Sequence, residues 1–210
     1  MIGLLGGTFD PIHYGHLRPA QEVYRDLGLE SLRLIPCATP PHRRPPLASA
    51  AQRLRMVELA APEFPGFIAD DREVRRGGVS YTVPTLLSVR DDIGDEPLCF
   101  ILGSDAFNSI TTWHRWQQLF ALAHLVVVQR PGSPRGPLPA WAAPRVCTRA
   151  EELADQSAGK ILFMSVVPQD ISATDIRAAI ARGETPPADR LPPPVWDYIH
   201  RHHIYRSHSS

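Results

Sequence analysis

Short apolar runs recur along the chain at residues 2–5, 32–35, 98–102, 125–128 and 161–167. Runs of this length bounded by turn-forming residues read as buried strands. Between most of them, apolar residues recur at mixed three- and four-residue steps, which predicts helices over residues 15–27, 48–61, 82–92 and 113–121. Strand and helix alternating in this way require a parallel sheet, because parallel neighbours need a crossover of a dozen or more residues. The expected fold is therefore α/β: a doubly wound parallel sheet. After residue 167 the pattern changes to two helices, about 172–181 and 194–202, separated by a proline-rich break. These form a small helical C-terminal cap, about 171–205, within a single domain of residues 1–210.

Composition narrows the partners. Lys+Arg and Asp+Glu both number 22, so no overall positive field exists to hold a long nucleic acid, and a polyphosphate must meet a local cationic site. Cys37, Cys99 and Cys147 are odd in number and widely spaced, which suits neither a disulfide framework nor a zinc pattern and predicts free thiols in the cytoplasm. The start lacks a basic segment and runs from Leu5 into Gly6-Gly7, unlike a signal peptide. No run approaches the roughly 20 apolar residues that cross a bilayer. The prolines cluster around 36–46, 131–144 and 186–194, marking loops.

Two short segments carry candidate chemistry. The first run is followed by Gly6-Gly7-Thr8-Phe9-Asp10-Pro11-Ile12-His13-Tyr14-Gly15-His16, then a helix. Ligands of open α/β sheets collect at the carboxyl ends of strands. Gly6 and Gly7 let backbone N–H groups approach a phosphate, and the following helix presents its positive end there. His13 and His16, three residues apart, can turn their rings to one side and donate to phosphate oxygens together. A plain glycine turn with two solvent-facing histidines fits the same residues. The second segment is Ile171-Ser172-Ala173-Thr174-Asp175-Ile176-Arg177. Ser172 followed by Asp175 matches a capping box. The same helix start, with the hydroxyls of Ser172 and Thr174 and the forked cation of Arg177, also suits a triphosphate.

The first string resembles the Gly-Gly-Thr-Phe-Asp-Pro-x-His-x-Gly-His signature of the nucleotidyltransferase superfamily, whose fold is Rossmann-like. The second is similar to that superfamily's Ile-Ser-x-Thr-x-Ile-Arg element, with Ala173 where relatives often carry a second serine. The resemblance implies catalysis by His13, His16 and Arg177. It places ATP against Gly6, Gly7, Thr8, Phe9, His16, Ile171, Ser172, Thr174 and Arg177, with the last segment on the β- and γ-phosphates. It also implies Mg²⁺ held mainly by ATP phosphates and water rather than by a protein cage.

Pro40-Pro41-His42-Arg43, Ser80-Tyr81-Thr82, Gly103-Ser104-Asp105 and Thr112-Trp113 follow in the order seen in bacterial nicotinate-nucleotide adenylyltransferases, so the resemblance runs from residue 3 to about 205. It implies transfer of the adenylyl group of ATP to nicotinate mononucleotide. On that reading Trp113 stacks on the electron-poor pyridine ring. Thr82 and N–H groups at its helix start take the carboxylate, and His42 and Arg43 take the phosphate. Asp105 accepts from a ribose hydroxyl beside Gly103, and Arg130 meets the adenine edge. Trp113 with Trp116 also fits the core, Thr82 also fits an N-cap, and Arg43 a solvated loop. Nicotinamide mononucleotide or phosphopantetheine as acceptor, or a non-catalytic nucleotide sensor, are the competing functions. His13 standing where phosphopantetheine enzymes usually carry threonine argues against that acceptor, and retention of His13, His16, Ser172 and Arg177 argues against the sensor.

Overall fold

A computed structural model describes residues 1–41, 45–129 and 138–206. Its elements in chain order are β1 (Ile2–Gly7), α1 (Tyr14–Asp26), β2 (Ser31–Pro36), α2 (Ala50–Ala60), β3 (Phe67–Ala69), α3 (Arg72–Arg76), α4 (Thr82–Ile93), β4 (Leu98–Gly103), α5 (Ser104–Asn108), α6 (Leu119–Leu122), β5 (His124–Gln129), β6 (Val146–Cys147), β7 (Ile161–Ser165), α7 (Ala173–Ala181) and α8 (Pro193–Arg201). The strands are hydrogen-bonded in the order β3-β2-β1-β4-β5-β7-β6. The pairs β1–β4, β4–β5, β5–β7 and β6–β7 are parallel, with Leu4 opposite Phe100 and Phe100 opposite Leu125. Residues 98–102 of β4 and 124–127 of β5 are buried without alternation, as strands covered on both faces are. The fold is the doubly wound, Rossmann-like α/β architecture that the alternation predicted. Strand order reverses between β1 and β4, the position at which such sheets take ligands at their carboxyl ends.

The chain forms two compact units. The first comprises Met1–Gly6, Glu22–Arg33 and Tyr81–Pro168. Its core is built from Leu4, Leu32, Leu86, Val89, Leu98, Leu125, Val126 and Ile161. The second comprises Gly7–Gln21, Leu34–Ser80 and Gln169–Ser210, with a core of Phe9, Ile12, Leu17, Met56, Val57, Ile176, Val195 and Ile199. In this second unit α8 packs against α2, which a full capping box opens: Ser49 Oγ accepts from Gln52 N, and Gln52 Oε1 accepts from Ser49 N.

One expected helix is broken. Residues 113–121 contain a left-handed Arg115 (φ 58°), a single 3₁₀ turn over Trp116–Gln118 and only the short α6. Apolar spacing there reflects Trp116 and Phe120 meeting Trp141, not a continuous helical face. The strand expected over 161–167 ends at Ser165, where Gln129 O takes Val166 N and the Glu22 carboxylate takes Val167 N. β3 and β6 were not foreseen, since three and two residues are too few to establish a periodicity.

Candidate active site

In the second unit, the turn after β1 is shaped by Phe9. Its ring occupies the space a Cβ on Gly7 would need, 2.8 Å away, and its own φ is 50°. That contact, rather than room for a phosphate alone, requires glycine at position 7. Phe9 is 2 % exposed and stands edge-on to His16, with centroids 5.2 Å apart, so its ring backs the imidazole instead of facing outward. His13 precedes α1 and His16 lies in its first turn. Their rings stack with centroids 3.8 Å apart and planes 30° from parallel. The expectation that both turn to one side is met.

The histidine pair is neutral. Burial pushes His13 down to about 2, helped by the neighbouring His16 and the Arg177 charge. Burial alone takes His16 down to about 4. A neutral imidazole has one N–H, and neither Nδ1 has a hydrogen-bond partner within the protein although both are buried. Buried polar atoms without partners are uncommon and destabilising, and they concentrate where a ligand completes the bonding.

The second segment meets the first directly. Ile171 O lies 3.0 Å from where a Cβ on Gly15 would stand, which explains the glycine between the histidines. Ser172 is the N-cap of α7, its hydroxyl accepting from Asp175 N at 3.3 Å; only this half of the expected capping box forms. Arg177 Nη1 donates to Asp10 O at 2.7 Å and Nη2 to Thr174 Oγ1 at 3.3 Å. The cation is thus held by uncharged oxygens, beside His13, whose protonation it opposes. Thr174 is exposed and its hydroxyl hydrogen stays available to donate.

Sequence reasoning missed two further residues of this unit. The buried Asp10 carboxylate accepts from Leu47 N at 2.9 Å, Ala48 N at 3.0 Å and Tyr205 Oη at 2.7 Å. Burial and the adjacent carboxylate raise the Tyr205 hydroxyl well above the usual tyrosine range, so it remains a donor. Arg53, 1 % exposed, donates to Thr8 O, Ala48 O, Ala38 O and Cys37 Sγ. Asp10 was visible only as part of the string, and Arg53 looked like one polar position on a helix.

The other candidates belong to the first unit. Gly103 ends β4, and no atom stands within 4 Å of a Cβ placed on it. Exposed Asp105 lies in the first turn of α5, and Ser104 Oγ donates to Val128 O across to β5. Thr82 opens α4, but the N-cap position is Tyr81 and no side chain caps the helix. Thr82 is therefore not the cap that its sequence context also allowed, and the helix start keeps main-chain donors toward an anion. Trp113 is half-buried with its ring edge-on to Phe100 at 6.2 Å, while Trp116 joins Phe120 and Trp141 in an aromatic cluster. The His114 ring lies tilted against that of Tyr81, with centroids 4.7 Å apart. Gly6, the last residue of this unit's β1 portion, would place a Cβ 3.8 Å from the Phe100 ring, an ordinary contact. His42, Arg43 and Arg130 lie outside the described residues.

Among the described residues no group of three or more His, Cys, Asp or Glu is placed to hold a metal ion, and no helix is long and apolar enough to cross a membrane.

Known proteins resemble this chain in sequence and in fold. The cytidylyltransferase-like family model matches residues 4–179. A probable nicotinate-nucleotide adenylyltransferase of Methylococcus capsulatus is 48% identical over 98% of this chain and 99% of its own. One of Halorhodospira halophila is 50% identical over 88% of this chain and 86% of its own. In three dimensions the chain is similar to the Plasmodium falciparum nicotinic acid mononucleotide adenylyltransferase complexed with NaAD, with a TM-score of 0.72, 16% identity, and coverage of 97% and 96% of the two chains. From the string around His13 and His16, the segment ending at Arg177 and near full-length identity, the chain belongs to the nicotinate-nucleotide adenylyltransferases of the cytidylyltransferase-like family.

Proposed function

We propose that the protein transfers the adenylyl group of ATP to nicotinate mononucleotide, giving nicotinate adenine dinucleotide and pyrophosphate in NAD biosynthesis. The observation that carries this reading is the stacked, neutral His13–His16 pair with the Arg177 charge beside His13. A phosphate monoester with a second pKa near 6 is largely ionised at neutral pH and needs no base. One of its oxygens bonds to the α-phosphorus of ATP. The bond from that phosphorus to the bridging oxygen breaks, and pyrophosphate leaves with the electron pair. The protein's task is to place two anions in line and stabilise charge on the α-phosphate and the leaving group.

His13 and His16 donate one N–H each to phosphate oxygens, and the turn at Gly6, Gly7, Thr8 and Phe9 adds main-chain contacts. Arg177, with Ile171, Ser172 and Thr174, takes the β- and γ-phosphates. Gly103, Asp105 and Arg130 hold the nucleoside part of ATP. Thr82 and the uncapped start of α4 receive the nicotinate carboxylate, Trp113 stacks on its ring, and His42 and Arg43 receive its phosphate. Mg²⁺ bound mainly through ATP oxygens neutralises further charge. All 210 residues act as one nucleotidyltransferase domain in the cytoplasm.

Pyrophosphate release with ATP and Mg²⁺, offering the nicotinate and nicotinamide mononucleotides in parallel, tests the reading. Strong preference for the acid is expected. Preference for the amide overturns the acceptor assignment, and silence with both reopens phosphopantetheine and the sensor.

A further inference from the structure

We propose that Arg115 is a positioning residue for the acceptor: its left-handed backbone, and not its guanidinium, sets the direction of Trp113. The proposal rests on the function assigned above, in which Trp113 stacks on the pyridine ring. Arg115 has φ 58° and ψ 33°, in the left-handed region that residues with a Cβ seldom enter. Such conformations persist where surrounding structure imposes them, and they gather at functional sites. The Arg115 side chain is exposed, so its own packing does not hold the backbone there.

Its neighbours do, all within the first unit. Trp113 N donates to Ile110 O at 3.0 Å, Trp116 N to Trp113 O at 3.2 Å and Gln118 N to Arg115 O at 2.9 Å. Residues 113–116 thus close a β-turn whose third residue carries the positive φ, a place usually given to glycine or asparagine. In a continuous helix, rings three residues apart would lie on one face. Here the turn separates them. Trp116 meets Trp141 edge-on with centroids 5.1 Å apart, whereas Trp113 is half-buried with its ring edge-on to Phe100. His114, next to Trp113, lies against Tyr81, the residue that precedes Thr82 and α4. One turn thus sends Trp116 into its cluster and His114 to the residue before α4, where the nicotinate carboxylate is assigned, and the direction of Trp113 follows from both. Arg115 acts on the binding of the acceptor through this backbone, and not on ATP or the transfer step.

The test compares Arg115→Val and Arg115→Asn with the unaltered full chain. Pyrophosphate release is measured with Mg²⁺, each substrate being varied while the other is saturating. Asparagine tolerates the left-handed region, and a β-branched residue resists it. Arg115→Val is expected to raise the KM for nicotinate mononucleotide about tenfold, within the range of losing a cation–π contact. Its KM for ATP and its turnover at saturation are expected to stay within about twofold, the pattern of lost ground-state binding. Arg115→Asn is expected to keep both KM values within about twofold of the original, since it retains the backbone conformation without the charge. An unchanged acceptor KM in folded Arg115→Val overturns the proposal. So does an acceptor KM raised as far in Arg115→Asn, which gives the role to the guanidinium. A fall in turnover or a matching rise in the KM for ATP marks a merely structural role and also overturns it. If Arg115→Val does not fold, Arg115→Thr, also β-branched, takes its place, and failure of both to fold counts as that structural role. Failure of the functional reading is distinct: the unaltered protein would itself be silent with nicotinate mononucleotide.

Discussion

The main-chain oxygen of Ile171 lies 3.0 Å from where a Cβ on Gly15 would stand, and the His13 ring lies 2.8 Å from the same point. Two segments more than 150 residues apart in sequence are thus packed backbone to backbone, with no room for a methyl group. Gly15→Ala is expected to push α7 or the His13 ring away, destabilising the protein by about 1–3 kcal/mol and lowering turnover. Thermal melting and pyrophosphate release on the same preparation check this; an unchanged melting temperature would mean the contact relaxes freely.

His16 presents a half-buried imidazole fixed between the Phe9 edge and the His13 face. His16→Ala is expected to lower turnover by about 10²–10³, as removal of one preorganised donor does. Steady-state rates at saturating substrates measure it, and full turnover in the folded variant would remove His16 from the mechanism.

Acid should destabilise the fold through the same pair. Both histidines have folded pKa values lowered from 6.5, His16 to about 4 and His13 to about 2. Below pH 6.5 the unfolded chain binds protons at these positions that the folded chain refuses. Stability present above that pH is therefore lost as pH falls through 6.5 toward 4, with His13 extending the loss toward 2. Melting temperatures from pH 8 to 4 should decline on the acid side. Ring resonances of His13 and His16 in the free protein should not titrate near 6.5, and such a titration would contradict the neutral pair.

Tyr205 supplies the Asp10 carboxylate with its only side-chain donor among the described hydrogen bonds. Tyr205→Phe leaves a buried carboxylate short of one bond and is expected to destabilise by about 1–3 kcal/mol. Turnover should stay nearly normal well below the melting temperature. Chemical denaturation gives the stability change, and its absence would show the carboxylate re-partnered.

Trp113 stands apart from the aromatic cluster that absorbs Trp116. Trp113→Ala is expected to raise the KM for nicotinate mononucleotide by about 2- to 30-fold, the range of a cation–π contact of about 0.5–2 kcal/mol, with the KM for ATP little changed. A defect confined to ATP would misplace the stacking role.

Strand and helix order, the parallel sheet and the two strings around His13 and Ser172 were legible in the sequence. Buried parallel strands are apolar on both faces, helices repeat at their own period, and glycine and histidine at fixed spacing state local geometry. Sequence alone also marked Ser172 as a helix start, because capping is settled within four residues. Only the tertiary structure decided what depends on distant partners. Arg53 is indistinguishable in sequence from the solvated Arg55 two positions later, until folding brings Thr8, Ala38 and Ala48 around it. Neutrality of His13 and His16 follows from burial, helped at His13 by the neighbouring His16 and Arg177, and local sequence encodes none of these surroundings. Likewise the broken helix after Trp113 arises because Trp116 and Phe120 find Trp141, a tertiary contact that outweighs the weak helical preference of a short segment.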